Sequence, residues 1–311
     1  MIKEFKNLIE SYRTITVLTH INPDPDTIGT ALGIYNILKE NHKKVEIVSF
    51  SVDLPINIDF LPNFSRIKHK MSYDNSLIIA CDAGSIDRLG FKLENRVIVN
   101  IDHHKTNTHY GYLNIVDSSL VSASLVAYNF LSENFIITKN TATCFYTALL
   151  SDSKNFSTDR VDKNIFSIVL KLLDIGVEHN IVINNLNSRN SLASIRLEAK
   201  ALDKLKLHQN ATIASIKIDN SMIIETGAKM TDTVKIIDII SSLATVKIAI
   251  VIIENNSDIK VSFRSKSIDL STFAESFGGG GHPFACGFNI KNSNLEEVLD
   301  RILVKLNMEI L

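Results

Sequence analysis

Cysteine is scarce. Cys81, Cys144 and Cys286 are the only three in 311 residues, widely separated and without a C-x-x-C pair. That argues against a disulfide framework and against a cysteine-built zinc site, and it points to a reducing cytosol. An excess of one charge is also lacking. Thirty-three basic residues against 34 acidic leave a net charge of −1. A broad non-specific nucleic-acid binder is disfavoured, although a local basic cleft is not. No apolar run approaches the length needed to cross a bilayer. The run 248–253 is bounded by Lys247 and Glu254 and reads as a buried strand. Residues 1–13 mix Lys3, Glu4, Lys6 and Glu10 with apolar positions, the pattern of an amphipathic helix rather than a signal peptide. There is no internal repeat. What remains is globular composition, 45% hydrophobic and 22% charged, with the length of two domains at roughly 100–200 residues each.

The first half alternates strand and helix patterns. Short apolar or β-branched runs at 15–19, 45–50, 77–81 and 97–101 read as strands. Residues 27–39 carry Ile28, Ala31, Leu32, Tyr35 and Leu38 at helical spacing, and 119–132, 141–150 and 163–173 read as further helices. Such alternation implies βαβ units and a parallel sheet. The polar stretch 184–191 marks a boundary, and a helix over 192–206 links to the rest. The remainder reads as a strand at 212–218, a helix at 232–243 and strands at 246–253 and 259–265 joined by a turn over 255–258. A closing helix is expected at 294–306.

Ligands bind beyond the carboxyl ends of parallel strands, so the residues following each run matter most. His20, Asp24 and Asp26 follow the first strand, Asp82 follows 77–81, and Asp102, His103 and His104 follow 97–101. Asp152 follows the apolar run 148–150. Pro23 and Pro25 keep Asn22 and Asp24 out of the helical region. In extended backbone, residues two apart share a side, so Asp24 and Asp26 are expected to project together. Two such carboxylates repel by about 4 kcal/mol at an effective dielectric of ~20. With Asp82, Asp102 and Asp152 converging on the same edge, a shared proton is insufficient. A pair of divalent cations, with His20 and one of the adjacent histidines as nitrogen ligands, answers the charge better. Each piece alone has a plain reading, such as a helix cap at Asp24-Pro25-Asp26; their ordered co-occurrence favours a site. His42, His69, His109, His179 and His208 have no partner spacing and are expected at the surface.

The run Gly278-Gly279-Gly280-Gly281-His282 is the second feature. Its glycines can turn backbone N–H groups toward an anion, and His282 can contact a phosphate or stack on a base. Arg264, near the end of a strand, suits bidentate contact with phosphate. Cys286 lacks a neighbouring base and is not read as a nucleophile.

Together, His20…Asp24-x-Asp26, Asp82, Asp102-His103-His104 and Asp152 resemble the four motifs of the DHH phosphoesterases. GGGGHPFACG resembles the glycine-rich signature of the C-terminal domain associated with that family. The resemblance implies an α/β protein, with an N-terminal parallel-sheet DHH domain and a smaller C-terminal α/β domain flanking a cleft. On that reading residues 1–187 are the catalytic domain, 188–207 a linker helix and 208–311 the substrate-binding domain. It implies two divalent cations, usually manganese. His20, Asp24 and Asp82 would hold one, and Asp26, Asp82, His103 and Asp152 the other, with Asp82 bridging. Asp102 would orient the histidines from behind, and His104 would face the substrate phosphate. Arg264 and Gly279, Gly280, Gly281 and His282 would contact the nucleotide. Three positions depart from the family pattern. Pro25 stands where a glycine is common, Thr30 where serine is common, and Cys286 where alanine is usual.

The chain is too short for the extra domains of the large single-strand exonucleases of this superfamily. It also carries a glycine motif that the inorganic pyrophosphatases sharing the first domain lack. The branch left resembles enzymes that degrade very short RNA, many of which also dephosphorylate 3′-phosphoadenosine 5′-phosphate. The leading expectation is therefore a cytoplasmic manganese-dependent phosphodiesterase and phosphatase acting on short RNA or small nucleotides such as pApA. It needs neither a membrane nor long duplex DNA, and a homodimer is allowed. Hydrolysis of cyclic di-AMP, or of polyphosphate or pyrophosphate, is the alternative within the same chemistry. A nucleotide sensor is the alternative outside it.

Overall fold

The structure, a computed structural model, describes residues 1–41, 44–255 and 258–309. His42 and the turn residues Asn256 and Ser257 therefore lie outside the described residues. The chain divides into two compact units, Met1–Arg189 and Asn190–Leu311.

In the first unit, helix α1 (Ile2–Ser11) precedes β1 (Thr14–Leu18), α2 (Pro25–Glu40), β2 (Lys44–Val48), β3 (Ile67–Lys68), β4 (Leu77–Cys81), β5 (Ile98–Asp102) and β6 (Leu113–Val116). Helices α3 (Ala123–Leu131), α4 (Lys139–Asp152), α5 (Lys163–Asp174) and α6 (His179–Ser188) complete it. The strands form one sheet in the order β3-β2-β1-β4-β5-β6, and every pairing is parallel. Successive connections leave β1 in opposite directions, toward β2 and later toward β4. The β1/β4 border is thus a topological switch point, where the loops at the carboxyl edge part and a ligand can enter.

Ile15, Val17, Ile47, Ile79, Val99 and Ile101 face the helices in one apolar core. Leu18, Val48, Ile78 and Ala80 face the other side, covered by loop residues including Leu89 and Leu93. Helix α2 is buried all round from Asp26 to Leu38, as expected of a helix enclosed by a sheet and by other helices. Glycine makes that enclosure close. A Cβ on Gly29 would stand 2.7 Å from Cys144 O, and one on Gly33 would stand 2.3 Å from the Phe145 ring. The approach brings the start of α2 against α4, and so Asp26 toward Asp152.

The second unit contains α7 (Leu192–Asp203), β7 (Lys206–His208), β8 (Ile213–Ile218), α8 (Asn220–Thr226), α9 (Val234–Ser241), β9 (Ile248–Asn255) and β10 (Asp258–Ser265). Then come α10 (Ser271–Glu275), β11 (Gly280–His282), β12 (Ala285–Lys291) and α11 (Leu295–Glu309). Its mixed sheet runs β11-β12-β10-β9-β8-β7, with β8 and β9 parallel and the other pairs antiparallel. The two faces of β9 feed two cores. Ile248, Ile250 and Ile252 pack toward α11, while Ala249, Val251 and Ile253 pack with Ile236 and Ile240 of α9.

Several elements differ from the sequence expectation. The helix expected as a linker, α7, buries Leu197 and Ala201 in the second unit's core. Most of the polar boundary stretch is helical, because α6 runs to Ser188. Helix α3 starts at Ala123 rather than 119, because Ser122 takes the N-cap and accepts a hydrogen bond from Leu125 N–H. The short strands β6 and β11 carry too few alternating apolar residues to be read alone, whereas β12 does alternate Cys286, Phe288 and Ile290 into the core. Among the described residues, no helix is long and apolar enough to cross a membrane.

Gly33→Ala should destabilise the protein by roughly 1–3 kcal/mol through overpacking against Phe145, although alanine favours helix by about 1 kcal/mol. A urea midpoint measures this. Phe145→Leu in the Gly33→Ala background should recover part of the loss; a higher midpoint for Gly33→Ala alone would rule out the tight α2–α4 approach.

Candidate metal centre

The carboxyl ends of β1, β4 and β5 deliver the polar side chains. Thr27 links the first two, accepting from His20 N–H at 3.3 Å and donating from its hydroxyl to Cys81 O at 2.9 Å. Asp82 leaves β4 with φ +57 and is buried. Asp tolerates that left-handed conformation better than most residues, and the turn places its carboxylate between two imidazoles. Asp82 Oδ2 lies 3.5 Å from His20 Nε2, and Oδ1 lies 3.4 Å from His103 Nε2.

Backbone carbonyls orient both imidazoles. His20 Nδ1 faces Ile21 O at 2.8 Å, and His103 Nδ1 faces Leu120 O at 3.4 Å. A carbonyl can only accept, so Nδ1 carries a proton and Nε2 is the nitrogen turned into the site. Around His20 Nε2 stand Asp24 Oδ2 at 3.7 Å and Asp82. Around His103 Nε2 stand Asp26 Oδ2 at 3.9 Å, Asp82, and Asp152 Oδ2 at 3.6 Å. Donors about 2.1 Å from a common cation lie roughly 3–3.5 Å apart, close to these spacings.

Two observations test whether a cation suits the site. Asp82 Oδ1 is buried and takes no hydrogen bond from a described residue, an orphan acceptor that a cation would satisfy. The electrostatics are also strained. Desolvation, then repulsion from Asp82 and Asp152, raises Asp26 well above the usual carboxylate range. Desolvation with repulsion from Asp24 and Asp82 pushes Asp152 up to about 7, against the pull of His103. Burial opposes charge on His20, yet Asp24 and Asp82 hold it up at about 10. Burial likewise opposes charge on His103, which Asp82, Asp26 and Asp152 hold at about 10. Burial would raise Asp82, but the His103 and His20 imidazoles keep it below the ordinary range. Protons here offset a negative charge that divalent cations would neutralise better. The donors fit.

Asp24 and Asp26 do not project side by side as expected. Helix α2 begins at Pro25, so only Asp24 is extended. Asp24, not Asp26, caps the helix, its Oδ1 accepting from Asp26 N–H and Thr27 N–H at 3.0 Å. The helical turn swings Asp26 to the other group. There its carboxylate accepts from Ala123 N–H at 2.8 Å and Ser124 N–H at 3.3 Å at the start of α3, and from the Thr30 hydroxyl of its own helix at 3.2 Å. Asp24 keeps a half-exposed side chain, whereas Asp26 is buried.

Asp102 holds one histidine, not both. Its Oδ1 accepts from His104 Nδ1 at 2.7 Å, while Oδ2 accepts from the Asn107 amide at 2.5 Å. Asn107 also donates to Asn100 Oδ1 at 2.7 Å, and Asn100 donates to the Tyr110 hydroxyl at 2.8 Å. This network escaped the sequence reading. Its available signal was Asn100, a polar residue inside an apolar strand, which implies a buried partner. Burial opposes charge on His104, but Asp102 and Asp82 raise it above the ordinary imidazole range.

In the second unit, the glycine run is not an open cradle. Gly278 and Gly279 N–H close α10, donating to Glu275 O at 2.8 Å and Ala274 O at 3.0 Å. Gly280, Gly281 and His282 pair with Gly287, Cys286 and Ala285. A Cβ on Gly279 would stand 2.2 Å from Gly287 O, so glycine serves close strand approach. A cavity of about 440 Å³ opens beside it, lined by Lys260, Ser262, Arg264, Gly279 and Gly280 among others. Arg264 Nε donates to Asp238 Oδ1 at 3.0 Å. His282 is half-buried and lies outside that lining. Cys286 is buried, its thiol directed at Leu270 O. His109 and His179 are exposed, whereas His69 and His208 are half-buried, facing Ser49 O at 3.3 Å and Ser215 Oγ at 2.7 Å.

A profile described as the DHH family, N-terminal domain, matches residues 14–149, and one described as the DHHA1 domain matches residues 208–310. The chain carries a DHH domain followed by a DHHA1 domain. Full-length relatives of this DHH protein include two described as bifunctional oligoribonuclease and PAP phosphatase NrnA. The Bacillus subtilis protein is 24% identical, over 97% of this chain and 96% of its own. The Thermus thermophilus protein is 27% identical, over 95% of this chain and 90% of its own. The crystal structure of an exopolyphosphatase-related protein from Bacteroides fragilis shares the DHH protein's fold. Its TM-score is 0.88 at 22% identity, covering 98% of this chain and 96% of that one.

Divalent metal added to the stripped protein should raise its melting temperature. Stabilisation is about 2.7 kcal/mol per site at a hundredfold excess over Kd. Asp82→Asn, which removes the shared carboxylate, should suppress most of the rise. A wild-type protein whose melting temperature ignores Mn2+ and Mg2+ would exclude a metal centre here.

Proposed function

We propose that the protein is a metal-dependent phosphoesterase that hydrolyses very short oligoribonucleotides and 3′-phosphoadenosine 5′-phosphate. The observation that carries this reading is Asp82, which offers one oxygen to each of two imidazole-containing donor groups. The full-length likeness to relatives named for oligoribonuclease and PAP phosphatase activity supports the substrate class.

His20, Asp24 and Asp82 would hold one cation, and Asp26, Asp82, His103 and Asp152 the other. Carboxylates with a few imidazoles suit manganese. Bound there, two divalent cations supply an activated water and neutralise charge that develops on the phosphate. The chain's own residues do the rest. Asp82 sets the separation of the two groups. The carbonyls of Ile21 and Leu120 hold His20 and His103 with Nε2 inward. Asp102 accepts a hydrogen bond from His104 Nδ1–H, which steadies a protonated ring. That ring, held beside Asp82, can give a proton from Nε2 to a phosphate or leaving-group oxygen. Arg264, with Gly279 and Gly280 in the lining of the same cavity, would contact the nucleotide. The net charge of −1 suits a small substrate, since tracking a long polymer rewards a basic groove.

The test is release of AMP from pApA with Mn2+, with and without chelator, beside Asp26→Asn. The amide keeps an acceptor for Ala123 N–H while removing the charge, so the fold should survive and turnover should vanish. Full activity in Asp26→Asn would remove the site assignment. Tight binding of pApA without release would indicate a sensor. Neither binding nor release would turn the reading to pyrophosphate or polyphosphate.

A further inference from the structure

The loop after β2 carries an aromatic side chain that neither the cores nor the donor groups use. Phe50 is 52% exposed, yet its ring is firmly seated. Gly90, at φ +74, leaves room beneath it: a Cβ there would stand 2.7 Å from Phe50 Cγ and 2.8 Å from Ile21 Cγ2. Phe91 meets the ring edge-on, with centroids 5.3 Å apart at 85°. Three hydrogen bonds tie this ledge to the segment bearing His20. Thr19 N–H donates to Val48 O at 3.2 Å, Ile21 N–H to Arg88 O at 2.7 Å and Asn22 N–H to Ser51 Oγ at 2.8 Å.

Its loop therefore leaves the carboxyl edge of the sheet one strand over from β1, and the ring shares the space over Gly90 with Ile21, the residue that follows His20. Leaving half a phenylalanine in water forgoes burial energy. What a rigid, half-open aromatic ring offers in return is a flat surface for another flat ring. On the edge where a nucleotide phosphate would bind, that flat ring is a base.

We propose that Phe50 is a substrate-binding residue that stacks a nucleobase of the short oligoribonucleotide on the His20–Asp24 side of the site. The proposal rests on the oligoribonucleotide reading above. Every base has a stackable face, so such a contact adds affinity with little sequence preference. It also favours nucleotides over pyrophosphate or polyphosphate, which have nothing to stack.

The experiment is steady-state hydrolysis of pApA, and of two analogues each lacking one base, by wild type, Phe50→Ala, Phe50→Leu and Phe50→Tyr. Losing a base–aromatic stack should raise KM for pApA roughly 5- to 100-fold in Phe50→Ala. Phe50→Leu keeps an apolar plug over Gly90 but loses the π face, so its KM should rise as well; Phe50→Tyr should restore it. On one of the two analogues, wild type and Phe50→Ala should be indistinguishable. Unchanged KM in Phe50→Ala, or wild-type KM in Phe50→Leu, would overturn stacking while leaving the phosphoesterase reading intact. A wild-type protein inert toward pApA would overturn both.

Discussion

One buried carboxylate organises the site. Asp82 has left water and cannot remain charged without compensation. The chain offers it two imidazoles from opposite sides, one oxygen each. Those imidazoles in turn attract Asp24 on one side and Asp26 and Asp152 on the other, so that negative charge accumulates faster than the histidines can balance it. The result is a pair of donor groups that share a member and an unmet demand for positive charge. The same low polarity that makes the demand severe would make bound cations effective electrophiles.

The scaffold exists to hold that carboxylate in place. Parallel strands with opposite winding around β1 expose the loops after β1 and β4 at a switch point. The second donor group needs more, because Asp26 and Asp152 lie at the ends of two helices rather than on strands. Gly29 and Gly33 let those helices approach until side chains touch backbone. The amides that start α3 then hold Asp26 by hydrogen bonds. Helix packing thus sets a distance between ligands, and the core and the site are not separable.

The second unit solves a different problem. Its glycines bring strand β11 against β12 and finish α10, so their value is close approach rather than exposed amides. Lys260, Ser262 and Arg264 alternate along β10 onto one face, which concentrates polar groups in a cavity although the whole chain is nearly neutral. Local arrangement, not net charge, determines what such a surface can attract.

Much of this was legible from residue order. Buried parallel strands read as unbroken apolar runs, and their ends are sequence-local, so His20, Asp82, Asp102, His103 and His104 could be placed on one edge without coordinates. Asp152 was legible as the residue just past the helix read at 141–150, and that helix runs on to include it. The division of labour between Asp24 and Asp26 came from the family resemblance and not from spacing, because one helical turn beginning at Pro25 reverses what an extended loop implies. Nor was the restriction of Asp102 to His104, since that depends on Asn107 arriving from the loop to take the second oxygen. The pairing of the glycine run was not legible for a similar reason: a lone segment cannot show that another strand lies beside it. Sequence by itself determined which chemical groups are present and the strand ends that carry most of them, because local propensity and burial period act over a few residues. Only the tertiary structure decided which group faces which, because those choices are made by contacts between segments far apart in the chain.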